Sequence, residues 1–97
     1  MTLKQLLSQV NFEVHYNYCD RDGEYVASAY LVDEMTQFNY NIDDMIYNAA
    51  VLSIGIRHDE IEIYLDLSVD DIGRIVNTGD KFQYLDRNNN IIDRYEY

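Results

Sequence analysis

The stretch from Val51 to Leu67, VLSIGIRHDEIEIYLDL, constrains the fold more than any other part of the chain. Ile61, Ile63, Leu65 and Leu67 alternate with Glu62, Tyr64 and Asp66, the period-2 pattern of a strand with one buried face. The apolar run VLSIGI precedes it across His58, Asp59 and Glu60, so the two runs predict a tight hairpin. A hairpin cannot bury its apolar face alone, and the rest of the chain must cover it.

The covering elements are legible in the same terms. TLKQLLSQV begins with Thr2 and Gln5 in capping-box spacing, and Leu3, Leu6, Leu7 and Val10 recur at helical intervals. Asn41 and Asp44 open NIDDMIYNA in a similar way, with Ile42, Met45, Ile46 and Ala49 on one face. Ser68 and Asp71 start SVDDIGRIV, with Val69, Ile72 and Val76 on a shared face and Gly73 weakening the helix.

Between these helices, Phe12, Val14, Tyr16 and Tyr18 alternate with Glu13, His15 and Asn17 as a strand, and a second strand is expected from Glu24 to about Val32. KFQYL and IIDRYEY complete a last strand pair. The expected order is αββ-αββ-αββ: an α+β fold, an antiparallel sheet with about three short helices packed on one face. At 97 residues and 47% hydrophobic content, residues 1–97 are expected to form a single compact domain around one modest core.

CDRDGEY and LDRNNNI each place an Asp-Arg pair before a cluster of Asp, Asn or Gly. An EF-hand loop needs oxygen ligands at positions 1, 3 and 5, glycine at 6 and glutamate at 12. Counted from Asp20, the glycine comes too early and Leu31 stands last; counted from Asp86, Ile91 and Tyr97 fill those places. Both stretches therefore read as hairpin corners, where Asp22-Gly23 and Asn88 to Asn90 tolerate positive φ.

His15, Cys19 and His58 are the soft or borderline metal ligands, and none has zinc-motif spacing. A zinc site would have to be assembled across the fold or between subunits. No nucleophile signature surrounds Cys19 or any serine, and the four glycines form no phosphate loop. Asp43-Asp44 and Asp70-Asp71 suit helix starts, where acids complement the dipole. The expectation is a protein that is not an enzyme, with no cofactor.

The formal charge of -11 is unevenly placed. Residues 22–71 hold twelve acids and a single base, Arg57, whereas the flanking segments are each neutral. Such a surface attracts basic partners and repels nucleic acid and anionic membranes. No apolar run is long enough for a helix to cross a bilayer, the N-terminus has no signal-peptide pattern, and the lone cysteine suits a reducing compartment, so a cytoplasmic location is expected. Ten tyrosines, nine asparagines and ten isoleucines, with no proline or tryptophan, suggest a low-GC bacterial or mobile-element origin.

In size, acidity, Tyr and Asn richness and αββ order, the chain resembles the small acidic anti-CRISPR proteins of phages and mobile elements, inhibitors of Cas9-type nucleases. The resemblance implies a non-enzymatic inhibitor in the bacterial host cytoplasm, whose carboxylates imitate phosphates before a basic groove such as that of Cas9. The residues expected to do this are Asp33, Glu34, Asp43, Asp44, Asp59, Glu60, Glu62 and Asp66, with Tyr40 and Tyr64 as contact area. The alternative is a structural or accessory module that self-associates through an exposed strand edge, with the C-terminal DRYEY suggested as the seam.

Overall fold

The computed structural model describes residues 1–10, 15–37, 42–77, 79 and 82–92, with the backbone alone at 35–37 and 42–44. Helix α1 spans Leu3–Gln9. Its capping box is reciprocal: Gln5 N–H donates to Thr2 Oγ1 at 3.2 Å and Thr2 N–H donates to Gln5 Oε1 at 2.9 Å. Leu3 and Leu6 on its inner face are buried. The expected strand at Phe12 to Tyr18 begins, within the described residues, as β1, Tyr16–Cys19; Phe12 and Val14 lie outside them.

Strand β2, Tyr25–Ser28, is shorter than expected. Ser28 Oγ accepts the Leu31 N–H at 3.1 Å, and the chain turns there into helix α2, Ala29–Gln37. The strand expected to reach Val32 is thus corrected. Leu31 and Val32 are adjacent apolar residues, which a half-buried strand would place on opposite faces, whereas Ala29 and Val32 share a helix face and are both buried. Helix α3, Ile42–Tyr47, follows, with Ile46 buried; its expected cap, Asn41, lies outside the described residues.

The central hairpin forms as expected, from β3, Val51–Arg57, and β4, Glu60–Leu65, paired antiparallel. His58 and Asp59 both take positive φ, 52° and 64°, the geometry of a type I′ turn whose twist matches that of its strands. Strand β4 also pairs with β1, and that pairing is parallel, with Tyr16 opposite Ile61 and Tyr18 opposite Ile63. The sheet, in the order β2-β1-β4-β3, is therefore mixed rather than wholly antiparallel. Strand β4 takes an inner place, where Ile63 and Leu65 are fully buried.

The third unit departs most from expectation. Helix α4 is one turn, Val69–Ile72, capped by Ser68 Oγ, which accepts the Asp70 N–H at 3.2 Å. Gly73, at φ 90°, ends it, and Arg74–Asn77 becomes strand β5, paired with β6, Phe82–Leu85, in a separate two-stranded sheet. A Cβ at Gly73 would stand 2.9 Å from Tyr84 Cβ, so the close approach of helix end and sheet needs a glycine. Among the described residues the order is αββ, then ααββ, then αββ, with four helices instead of about three; β5 and β6 replace the pair expected from KFQYL and IIDRYEY, whose residues 93–97 lie outside the described ones.

One core joins these parts. Leu3, Leu6, Val32 and Ile46 from the helices meet Tyr18, Ala27, Ile63 and Leu65 from the larger sheet, and Val26 joins Ile72, Ile75 and Tyr84 to the same cluster. No helix among the described residues is long and apolar enough to cross a membrane.

The two Asp-Arg stretches are corners of one design. Asp20 Oδ1 accepts N–H bonds from Asp22 and Glu24, and Asp86 Oδ1 accepts them from Asn88 and Asn90, all four at 2.9 Å. Cys19 pairs with Tyr25 across the first corner as Leu85 pairs with Ile91 across the second. The positive φ falls on Gly23 in one and Asn89 in the other. The carboxylates of Asp20 and Asp86 are occupied by backbone donors instead of a metal ion.

Candidate interaction surface

Strand β3 is the outermost strand of the larger sheet. Met1 and Thr2 cover its beginning: Val51 N–H donates to Met1 O at 2.8 Å, and Thr2 bridges to Ala50. From Leu52 to Arg57 its outer side is open among the described residues. Ile54 and Ile56 lie opposite Ile63 and Ile61, on the face that elsewhere forms the core. Leu52 is 53% exposed, Ile54 47% and Ile56 79%, so the apolar face continues past the helices that cover it.

The backbone of this edge is equally unfinished. Arg57 and Glu60 close the two-residue turn, and pairs in an antiparallel ladder alternate between hydrogen-bonded and not. Counted from that closing pair, the N–H and C=O groups of Ile56 and Ile54 point away from β4. Natural edge strands are commonly blunted by lysine, proline or an inward-pointing charge. Strand β3 has no lysine or proline; its one charge is Arg57 at the turn end, and a bulge between Val51 and Ser53 twists its start. Met45 to His58 holds no acid, although the surrounding stretch is densely acidic.

Of the acids named from sequence, Glu62 and Asp66 are tied to arginines among the described residues. Glu62 is 9% exposed and is corrected from surface carboxylate to a member of a closed polar cluster. Its Oε1 lies 3.2 Å from Arg57 Nε and accepts the Tyr64 hydroxyl at 3.0 Å; its Oε2 accepts the Cys19 thiol at 3.5 Å. Tyr64 is half-buried, with its ring over Gly55 and near Gly23, filling the space those glycines leave.

Asp66 pairs with Arg21 at 3.4 Å, and Glu60 Oε2 accepts Asn17 Nδ2 at 2.8 Å. Asp59 sits in the β3–β4 turn. Asp33 and Glu34 are on α2, far along the chain from these; Asp33 is exposed and Glu34 half-buried. The side chains of Asp43 and Asp44 on α3 are not among those described, and Tyr40 lies outside the described residues.

Arg87 draws in further acids, lying 3.1 Å from Asp22, 3.5 Å from Asp70 and 3.7 Å from Asp20. The second Asp-Arg corner thereby holds the first. Asp20, Asp22, Glu62, Asp66 and Asp70 are thus tied to arginines within the chain.

Cys19 is buried, and burial foremost, with Glu62 beside it, pushes its thiol up to about 12. A protonated thiol at neutral pH is a poor nucleophile and a poor metal ligand. Among the described residues no three His, Cys, Asp or Glu groups gather where they could hold a metal ion. What the surface offers is strand addition, with main-chain donors and acceptors beside three exposed aliphatic side chains. The acid-free run from Met45 to His58 was the one sequence signal for this edge. No protein-family model, curated protein or solved structure matches the chain.

Proposed function

We propose that this protein is a non-enzymatic binding module that receives an extended, lysine- or arginine-bearing segment of a partner protein as an added strand along β3. The observation that carries the reading is the open edge from Leu52 to Arg57, where apolar side chains and outward backbone groups coincide. Charge chooses between a second copy and a basic partner. Two chains of net charge -11 repel each other, whereas a basic segment is drawn to the edge and meets Asp59 and Glu60 at its end.

A nucleic-acid-processing enzyme of the bacterial cytoplasm fits this partner class, because its phosphate-binding grooves are lined by lysine and arginine. In that setting binding inhibits, since a strand held on β3 is withheld from nucleic acid. This retains the inhibitor reading, with Cas9-type nucleases as its specific case, but moves the contact from a carboxylate patch to a strand edge.

The test uses a synthetic peptide of alternating isoleucine and lysine, and a twin N-methylated at alternate residues. N-methylation keeps the charge and removes the ladder donors. The unmodified peptide is expected to slow amide exchange at Ile54 and Ile56, with an affinity that falls as salt rises, and Ile56→Lys is expected to abolish the effect. Equal binding of the twin, or full binding by the variant, would overturn strand addition. Sedimentation of the protein alone as a dimer with those amides protected would assign the edge to a second copy instead. Undiminished DNA cleavage by a Cas9-type nuclease at saturating protein would remove that partner.

A further inference from the structure

On the other side of β1 from β4, the start of α2 encloses a notch of about 170 Å3 lined by His15, Tyr16, Ala29, Tyr30 and Asp33. Its size suits one small head group, since drug-sized ligands occupy roughly 300–1,000 Å3. Tyr30 and Asp33 are three residues apart on α2 and so share a helix face. Tyr30 is 72% exposed, with its ring uncovered by any element among the described residues. Tyr16 is held by β1 and by edge-to-face contact with Tyr18, at 5.8 Å between centroids and 79° between planes.

Asp33 is positioned from below. The Tyr47 hydroxyl donates to its Oδ1 at 3.3 Å, which leaves Oδ2 available, and among the described residues no Lys or Arg pairs with it. Asp33 is thus a carboxylate beside two tyrosines, with no Lys or Arg counterion among the described residues. An anion would be repelled here. A metal ion would find one carboxylate and one imidazole, too few for a protein-built site.

We infer that this notch binds an organic ammonium group, with Asp33 supplying the charge and Tyr16 and Tyr30 the ring faces for cation–π contact. A lysine or methylated lysine of the proposed basic partner is one source, and a free amine is the other. The proposed partner bears on the source alone, because the chemistry of the notch does not depend on what occupies β3.

NMR titration with tetramethylammonium chloride, beside its neutral isostere 3,3-dimethylbutanol, tests the inference. The cation is expected to shift resonances of Tyr16, Tyr30 and Asp33 saturably, and the isostere is expected to leave them in place. Tyr30→Ala and Asp33→Asn should each weaken binding by about two- to fivefold, while Tyr30→Phe retains it. Both substituted side chains are exposed, and amide dispersion verifies that the variants fold.

Equal shifts from the isostere, or undiminished cation binding by both weakening variants, would overturn the inference. A trimethyllysine peptide that binds more tightly than tetramethylammonium supports the notch as a protein-docking element, and weaker binding supports a free amine as its ligand. The edge variant Ile56→Lys should bind tetramethylammonium like the parent, which keeps failure at β3 distinct from failure at the notch.

Discussion

Removing the Asp20 carboxylate is expected to be among the most damaging single changes in this protein. Asp20 is fully buried, and its carboxylate accepts three backbone N–H groups, those of Asp22 and Glu24 through Oδ1 and that of Val69 through Oδ2, each at 2.9 Å. It thereby closes the first corner and pins the start of α4 to it. Asp20→Ala leaves the Val69 donor buried without a partner, at about 1–3 kcal/mol, and loses two part-buried bonds at about 1 kcal/mol each.

The sum is about 3–5 kcal/mol, a third or more of the stability ordinary for a domain of this size. At about 4–8 °C per kcal/mol, Tm should fall by about 12–40 °C. Asp20→Asn keeps Oδ1 and turns an amide donor toward the Val69 N–H or leaves that bond unmade, so it should lie between parent and Ala variant.

Asp86→Ala supplies the control. The same two N–H bonds hold its corner, but the residue is half-buried and the donors it would release can turn to water. Urea unfolding followed by circular dichroism, together with calorimetry, measures all three variants. An Asp20→Ala variant within about 1 kcal/mol of the parent, or an Asp86→Ala variant equally destabilised, would refute the view that burial rather than turn geometry sets the cost.

Cys19 should resist iodoacetamide in the folded protein at pH 8 and react once urea unfolds it, because its thiol is buried and held well above the ordinary value of about 8.5. Since the folded value is raised, the stability this thiol contributes is fully present below the ordinary value and is lost as pH rises toward about 12. Burial raises Tyr18 in the same direction, so unfolding midpoints should decline from about pH 9 upward. Gly73→Ala should cost roughly 2–4 kcal/mol in chemical denaturation, from positive φ and the clash with Tyr84 together. Replacing His58-Asp59 by Asn-Gly should raise stability by about 0.5–1 kcal/mol, since both positions need positive φ.

Local grammar was the most readable part of this chain. The Thr2–Gln5 capping box, the β3–β4 hairpin and the two Asp-Arg corners each depend on contacts within a few residues. Elements with two competing local solutions were less readable. Glu24 to Val32 alternates well enough for a strand, but Ser28 supplies a cap and Ala29 and Val32 a helix face, and packing selects the helix. Arg74 to Asn77 carried helical periodicity into a segment that β6 claims as a partner once Gly73 has ended α4. The fate of the acids was least legible, because a carboxylate's spacing says nothing about which distant arginine will reach it.

The sequence by itself determined the α+β class, the corners, the central hairpin and the acidic balance, all properties of neighbouring residues or of composition. The tertiary structure alone decided that β4 lies parallel to β1, that Glu62 turns inward to Arg57 while Arg87 gathers Asp20, Asp22 and Asp70, and that β3 keeps one side unpaired among the described residues. The physical reason is that pairing partners, burial and charge neutralisation depend on which surfaces meet. A period-2 pattern marks a strand with a buried face equally well at the centre of a sheet and at its edge, and only the packed chain leaves Ile54 and Ile56 facing water.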